Sequence, residues 1–106
     1  MIQILTKVAA VKYSELAERV GYSITIDQNN IAIFKLSNGM VRAIENRSPH
    51  PKGGVLSEGL VSGDYVFCPV YDWRISLIDG KVQAPDEGQV RTFSVEVEDD
   101  IVYIII

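Results

Sequence analysis

Apolar and polar residues alternate with a period of two along most of this chain. The clearest case is TFSVEVED, where Phe93, Val95 and Val97 interleave with Thr92, Ser94, Glu96 and Glu98. Successive strand side chains point to opposite faces, so this pattern predicts a strand with one buried and one wet face. EDDIVYIII then predicts a hairpin: Glu98, Asp99 and Asp100 turn the chain, and the β-branched run after them is apolar on both faces. A strand of that kind is expected to be well covered. YSITID, IAIFKL and MVRAIE predict three more strands, separated by QNN at 28–30 and SNG at 37–39. Asn and Gly accept the positive φ that tight turns demand. RISL and KVQ, on either side of Ile78, Asp79 and Gly80, predict another hairpin, and VFC predicts a short apolar strand ending at Cys68. Only VKYSELAERVG predicts a helix, two turns at most, with Ser14 as cap, Leu16, Ala17 and Val20 on one face and Gly21 at its end.

Eight or nine short strands, one short helix and no internal repeat predict an all-β fold, closed into a small barrel or sandwich. Residues 46–63 break the alternation with two prolines and four glycines, as expected of a long functional loop mounted on a sheet scaffold.

Composition sets the scale. A chain of 106 residues, 47% hydrophobic and 23% charged, supports one core, so residues 1–106 are expected to form a single domain. The net charge of -4 and the scattering of the 10 basic residues argue against nucleic acid, whose binding needs clustered Lys and Arg. One cysteine excludes an internal disulfide and suits the reducing cytoplasm. The closing run at Ile104–Ile106 falls far short of the roughly 20 apolar residues of a membrane helix, so no membrane partner is expected.

Candidate chemistry gathers in RSPHPKGG and CPVYDW, which hold the chain's one histidine, His50, and its one cysteine, Cys68. Each has a plain reading: His50 as a surface imidazole between two prolines, Cys68 as a small buried hydrophobe at a strand end. Tyr71 and Trp73, two apart, are expected to cover the loop tip with their polar atoms on backbone acceptors. Gly53 and Gly54 supply backbone freedom where the loops approach. Were His50 and Cys68 adjacent at an exposed tip, an imidazole-activated thiol enzyme would be conceivable, with Asp72 the nearest candidate for a third group.

NRSPHPKGGVLSEGLV followed by DYVFCPVYDWRISLIDGKV resembles the paired cluster-binding loops of Rieske-type two-iron, two-sulfur domains, a subregion spanning 46–80 here. That family's pattern is C-x-H, an intervening loop in the high teens of residues, then C-x-x-H. Ser48, His50, Cys68 and Tyr71 occupy the four ligand positions in order, and Asn46, Arg47, Pro49, Gly53, Gly54, Leu56, Gly59, Pro69, Trp73 and Gly80 match the flanks. The resemblance implies a Rieske-like fold with a two-loop tip. A Rieske centre takes two thiolates and two imidazoles, whereas this chain offers one of each plus two oxygen donors. No conventional cluster is therefore expected, and any metal would fall to His50 and Cys68.

A Rieske-like group that keeps the fold while dropping ligands is the small subunit of assimilatory NAD(P)H-dependent nitrite reductase, and the chain resembles it in size, short leading helix and degenerate loops. That resemblance implies a non-catalytic subunit without its own cofactor. Its large partner subunit would carry FAD, sirohaem and a [4Fe-4S] cluster and reduce nitrite to ammonium. Docking would fall to the loop tip, with Pro49, Pro51, Tyr71, Trp73 and Arg74 as candidates because proline lowers the entropy lost on binding and Tyr, Trp and Arg are enriched at interface hot spots. Two other readings stand beside it: a [2Fe-2S] electron carrier with altered ligands, and the small Cys/His thiol enzyme.

Overall fold

The structure, a computed structural model, describes residues 6–106. Among these residues, nine strands form two antiparallel sheets. β1 (Lys7–Lys12), β2 (Gly21–Ile26), β3 (Asn29–Lys35), β4 (Val41–Glu45), β8 (Thr92–Glu98) and β9 (Ile101–Ile105) make the larger, in the order β1-β9-β8-β4-β3-β2. β5 (Leu60–Ser62), β6 (Tyr65–Phe67) and β7 (Arg74–Ser76) make the smaller.

Alternation explains how one sheet serves two cores. In β3, Ile31 and Ile33 point into a cluster to which all six strands contribute, including Val11, Ile26, Ala43, Phe93, Val102 and Ile104. The larger sheet therefore curls around its own contents as a nearly closed barrel. The other face of the same strand sends Ala32 and Phe34 into a second cluster with Ile44, Val66, Cys68 and Ile75, which seats the small sheet. An apolar run such as IAIF marks a strand covered on both sides.

The last strand is covered on one side only. Val102 and Ile104 are buried, while Ile101, Tyr103 and Ile105 stay half-exposed on the outer face. Lys7 lies over the Tyr103 ring there, 4.5 Å from its centroid, and pairs with Glu98 at 2.9 Å and Glu96 at 3.0 Å. These two carboxylates, Glu98 first, hold the Lys7 ammonium above the usual lysine range.

The turns fall close to where the sequence puts them. Asp99 and Asp100 take positive φ of 50° and 65° as the predicted hairpin requires. The turn before β3 sits one residue early: Asp27 and Gln28 are left-handed, and Asn29 and Asn30 already belong to the strand. The hairpin at 78–80 forms as predicted, with the Asp79 carboxylate accepting the Lys81 N–H at 3.0 Å, a bond that holds it below the usual aspartate range.

The helix does not form. A single 3-10 turn covers Tyr13–Glu15, and of the predicted apolar face only Leu16 is buried. One buried side chain cannot offset the cost of nucleating a helix, and the backbone bonds are spent elsewhere. The Arg19 N–H donates to Lys35 O at 2.8 Å, and the Ser14 hydroxyl donates to Asp100 at 2.7 Å instead of capping. Gly21 opens β2, where a Cβ would run into the Ser57 carbonyl oxygen. Two strands carry no readable signal: β1, whose alanines and bulge blur the alternation, and β5, three residues inside the predicted loop.

Candidate functional site

The two loops leave the small sheet and its neighbour side by side and are built alike. In the first, Ser48 Oγ accepts the N–H of His50, two residues on, at 3.2 Å. In the second, Cys68 Sγ accepts the N–H of Val70, again two residues on, at 3.4 Å. Each loop is then closed by its backbone: Ser48 N–H donates to Gly54 O and Cys68 N–H to Trp73 O, both at 2.9 Å. An oxygen at Ser48 performs the loop-shaping task that sulfur performs at Cys68, because either atom serves as acceptor.

Ser48 and Cys68 are both buried and converge on Gly54. A Cβ there would lie 2.8 Å from Cys68 Sγ and 3.5 Å from Ser48 Cβ, at a φ of +132° that L side chains rarely adopt. The other two positions sit at the tip. The His50 ring stacks on Tyr71 at 4.6 Å and 20° between planes, and meets Trp73 edge-on at 4.6 Å and 72°. Contacts of this kind contribute about 0.5–1.5 kcal/mol beyond the area they bury. Ser48 and Cys68 thus lie together inside, and His50 and Tyr71 together at the tip.

Several expectations change. His50 is half-buried between two aromatic rings, and its Nδ1 accepts the Lys52 N–H at 2.9 Å, so it is not a free surface imidazole. Tyr71 and Trp73 pack through His50, and among the described residues neither side chain finds a backbone acceptor. Arg74 stands in β7 with its guanidinium 5.0 Å from the Tyr65 ring centroid, away from the tip. Pro49 is half-buried against Gly88, while Pro51 and Tyr71 are exposed.

The thiol-enzyme arrangement is not built. Cys68 is fully buried, its polar neighbours are Val70 N–H and Gly53 O, and His50 Nδ1 is bonded to the Lys52 N–H. Alkylation of Cys68 by iodoacetamide at neutral pH is expected to run at least about tenfold slower than in denaturant, since reaction waits on local opening. Equal rates would refute the burial.

Asn46 is the residue that sequence reading undervalued, as a mere flank. It is buried, and its amide nitrogen shares its two hydrogens among Asn30 Oδ1 at 2.8 Å, Ser57 Oγ at 3.1 Å and Ser23 Oγ at 3.2 Å while its oxygen accepts the Ser57 N–H at 2.7 Å. One side chain ties β2 and β3 to the root of the first loop. Asn46→Ala leaves these partners unsatisfied and is expected to cost about 1–3 kcal/mol. A thermal melt should show a loss of about 10 °C.

The donor set does not fit a Rieske centre. One thiol and one imidazole remain, the phenol of Tyr71 lies flat on the imidazole, and His50 Nδ1 is already taken. No group of three or more His, Cys, Asp or Glu suited to a metal occurs among the described residues.

A curled antiparallel barrel with a small second sheet and two matched loops at one tip defines the class: a two-sheet β domain carrying paired loops. The chain belongs to the family of Rieske-like [2Fe-2S] domains, whose model matches residues 7–105. It is 32% identical over 94 residues to the large subunit of nitrite reductase [NAD(P)H] of Klebsiella oxytoca, covering 84% of this chain and 10% of that one. It is 29% identical over 80 residues to the oxygenase component of 3-ketosteroid-9-alpha-monooxygenase of Mycobacterium tuberculosis, covering 70% of this chain and 20% of that one. The chain therefore spans a fifth or less of the length of these curated relatives. A crystal structure described as a nitrite reductase NADPH small subunit superposes with TM-score 0.82 at 28% identity, covering 93% of this chain and 97% of the other. An NADH-dependent nitrite reductase small subunit from Mycobacterium tuberculosis shares the fold with TM-score 0.88 at 23% identity.

Proposed function

We propose that this chain is the small, non-catalytic subunit of a cytoplasmic NAD(P)H-dependent nitrite reductase and holds no iron-sulfur cluster of its own. The observation that carries the reading is the loop pair. Its frame is complete, yet Ser48 and Tyr71 put oxygen where a Rieske centre needs sulfur and nitrogen, and the space between the tip positions is filled by stacked rings. Likeness to a nitrite reductase small subunit over 93% of this chain supports the assignment to that complex. No helix among the described residues is long and apolar enough to cross a membrane.

Within the complex, a flavin, sirohaem and [4Fe-4S] large subunit reduces nitrite to ammonium. This chain supplies a stiff docking tip in which Pro49, Pro51, Tyr71 and Trp73 are already held in place. Side chains ordered before association lose little entropy on binding, so such a tip gains affinity without new contacts.

The test is recovery of the chain from its native cytosol under anaerobic conditions, followed by iron and acid-labile sulfide analysis of the separated subunit. The expected result is a colourless chain that co-purifies with a large flavin and sirohaem protein. Stoichiometric iron and sulfide in the separated chain would establish the altered-ligand electron carrier instead. A colourless chain with no such partner would refute the nitrite reductase assignment.

A further inference from the structure

β4 and β8 pair at two steps, Ala43 with Phe93 and Ile44 with Thr92, and then part. Continuing that ladder would set Arg42 opposite Ser94 and Val41 opposite Val95. A cleft of about 310 Å³ opens there instead, with Leu77 and Ile78 along one side. That volume equals about ten waters, far more than a lone carboxylate needs.

Arg42 is the charged group of this cleft. Its Nε is buried without a hydrogen-bond partner among the described residues, and the ion pairs found among them both belong to Lys7. A chain of net charge -4 thus keeps one guanidinium at this opening with no acid beside it. Guanidinium groups take carboxylates through two parallel N–H bonds, which suits a side chain with its Nε uncommitted. The rim is apolar: Met40 is 47% exposed and Ile78 57% exposed. Where a ladder stops short between two strands, an extended backbone can continue it.

We propose that this cleft binds an extended, carboxylate-bearing peptide segment of a partner protein. The segment's backbone lies along the parted strands, its apolar side chains cover Met40 and Ile78, and one Asp or Glu meets Arg42. The guanidinium turns outward on its own stem to do so, since its Nε faces no water in the free chain. This surface is separate from the loop tip and holds whether or not the loops carry metal.

The probe is the capped peptide acetyl-Val-Glu-Val-Thr-Val-amide, with its Gln counterpart and sodium acetate as the other arms. Each is titrated into the full chain while amide and Arg Nε–H signals are followed by NMR. The Glu peptide is expected to give saturable shifts at Met40–Ala43 and Thr92–Val95 and to move the Arg42 Nε–H signal. The Gln peptide, and the Glu peptide on Arg42→Gln, are expected to bind at least about tenfold more weakly. Ser94→Glu, which places a carboxylate opposite Arg42 within the chain, should abolish binding while the β3 amide pattern stays native. Absence of shifts, equal binding by the Gln peptide, unchanged binding by Ser94→Glu, or saturation by acetate as tight as by the peptide would each overturn the proposal.

Discussion

Replacing Ser48 by Cys and Tyr71 by His together is expected to make the chain take up about two iron and two sulfide on anaerobic reconstitution, with visible absorption and a reduced-state paramagnetic signal. The backbone is ready for it. Ser48 and Cys68 already face each other across Gly54 in the buried pair of positions, and His50 and position 71 already face each other at the tip. Position 71 has a φ of 63°, a conformation that His tolerates better than most residues. The two substitutions change the donor chemistry: hard oxygen donors hold iron-sulfur clusters poorly where soft thiolates and imidazoles hold them well. Rings 4.6 Å apart leave no room for a diiron core, so the tip must also part, which removal of the phenol permits. Each single substitution leaves one wrong donor and is expected to give no stable cluster. A double variant that folds, keeps its circular dichroism and binds no iron would show that the frame has drifted beyond use.

Gly54→Ala is expected to cost on the order of 2–5 kcal/mol, the sum of a forbidden backbone conformation and an overpacked contact. The added methyl group would lie 2.8 Å from Cys68 Sγ, inside a cluster that also anchors Leu56 and Val66, so the sulfur cannot retreat without moving the small sheet. Thermal unfolding should come roughly 10–30 °C earlier. Gly53→Ala is the control. Its φ is +75°, yet nothing lies within 4 Å of the added atom, so only backbone strain of about 1 kcal/mol is expected. Equal losses in the two variants would mean that the loops do not converge on Gly54. The contrast also bears on function, because a docking tip held by this convergence should lose its partner in the first variant and keep it in the second.

Which parts of the molecule were legible follows from how far each signal reaches along the chain. The strands of TFSVEVE and IVYII, and the hairpin at Ile78 to Gly80, are written in neighbouring residues and appear where alternation puts them. The helix at VKYSELAERVG failed because its propensity is local while its stability had to come from burial, and only Leu16 found any. β5 was unreadable because three residues cannot show a period. At the site, the donor at each of the four positions could be read directly, and the mismatch with a Rieske centre followed from that alone. The i to i+2 bonds of Ser48 and Cys68 were open to prediction from turn chemistry. The bracing role of Asn46 was not, since its partners lie 11, 16 and 23 residues away.

By itself, the sequence determined the longer strands β2, β3, β4, β8 and β9, the scattered charge and the presence of oxygen at positions 48 and 71, all properties of the covalent chain or of its nearest neighbours. Tertiary structure alone decided that His50 would be trapped between Tyr71 and Trp73, that Cys68 would be sealed from solvent, and that Arg42 would stand at a gap between β4 and β8. The reason is physical. Donor identity and alternation need no partner, whereas a stacked ring, a buried thiol and a cleft exist only once distant segments are held at fixed separations by a packed core.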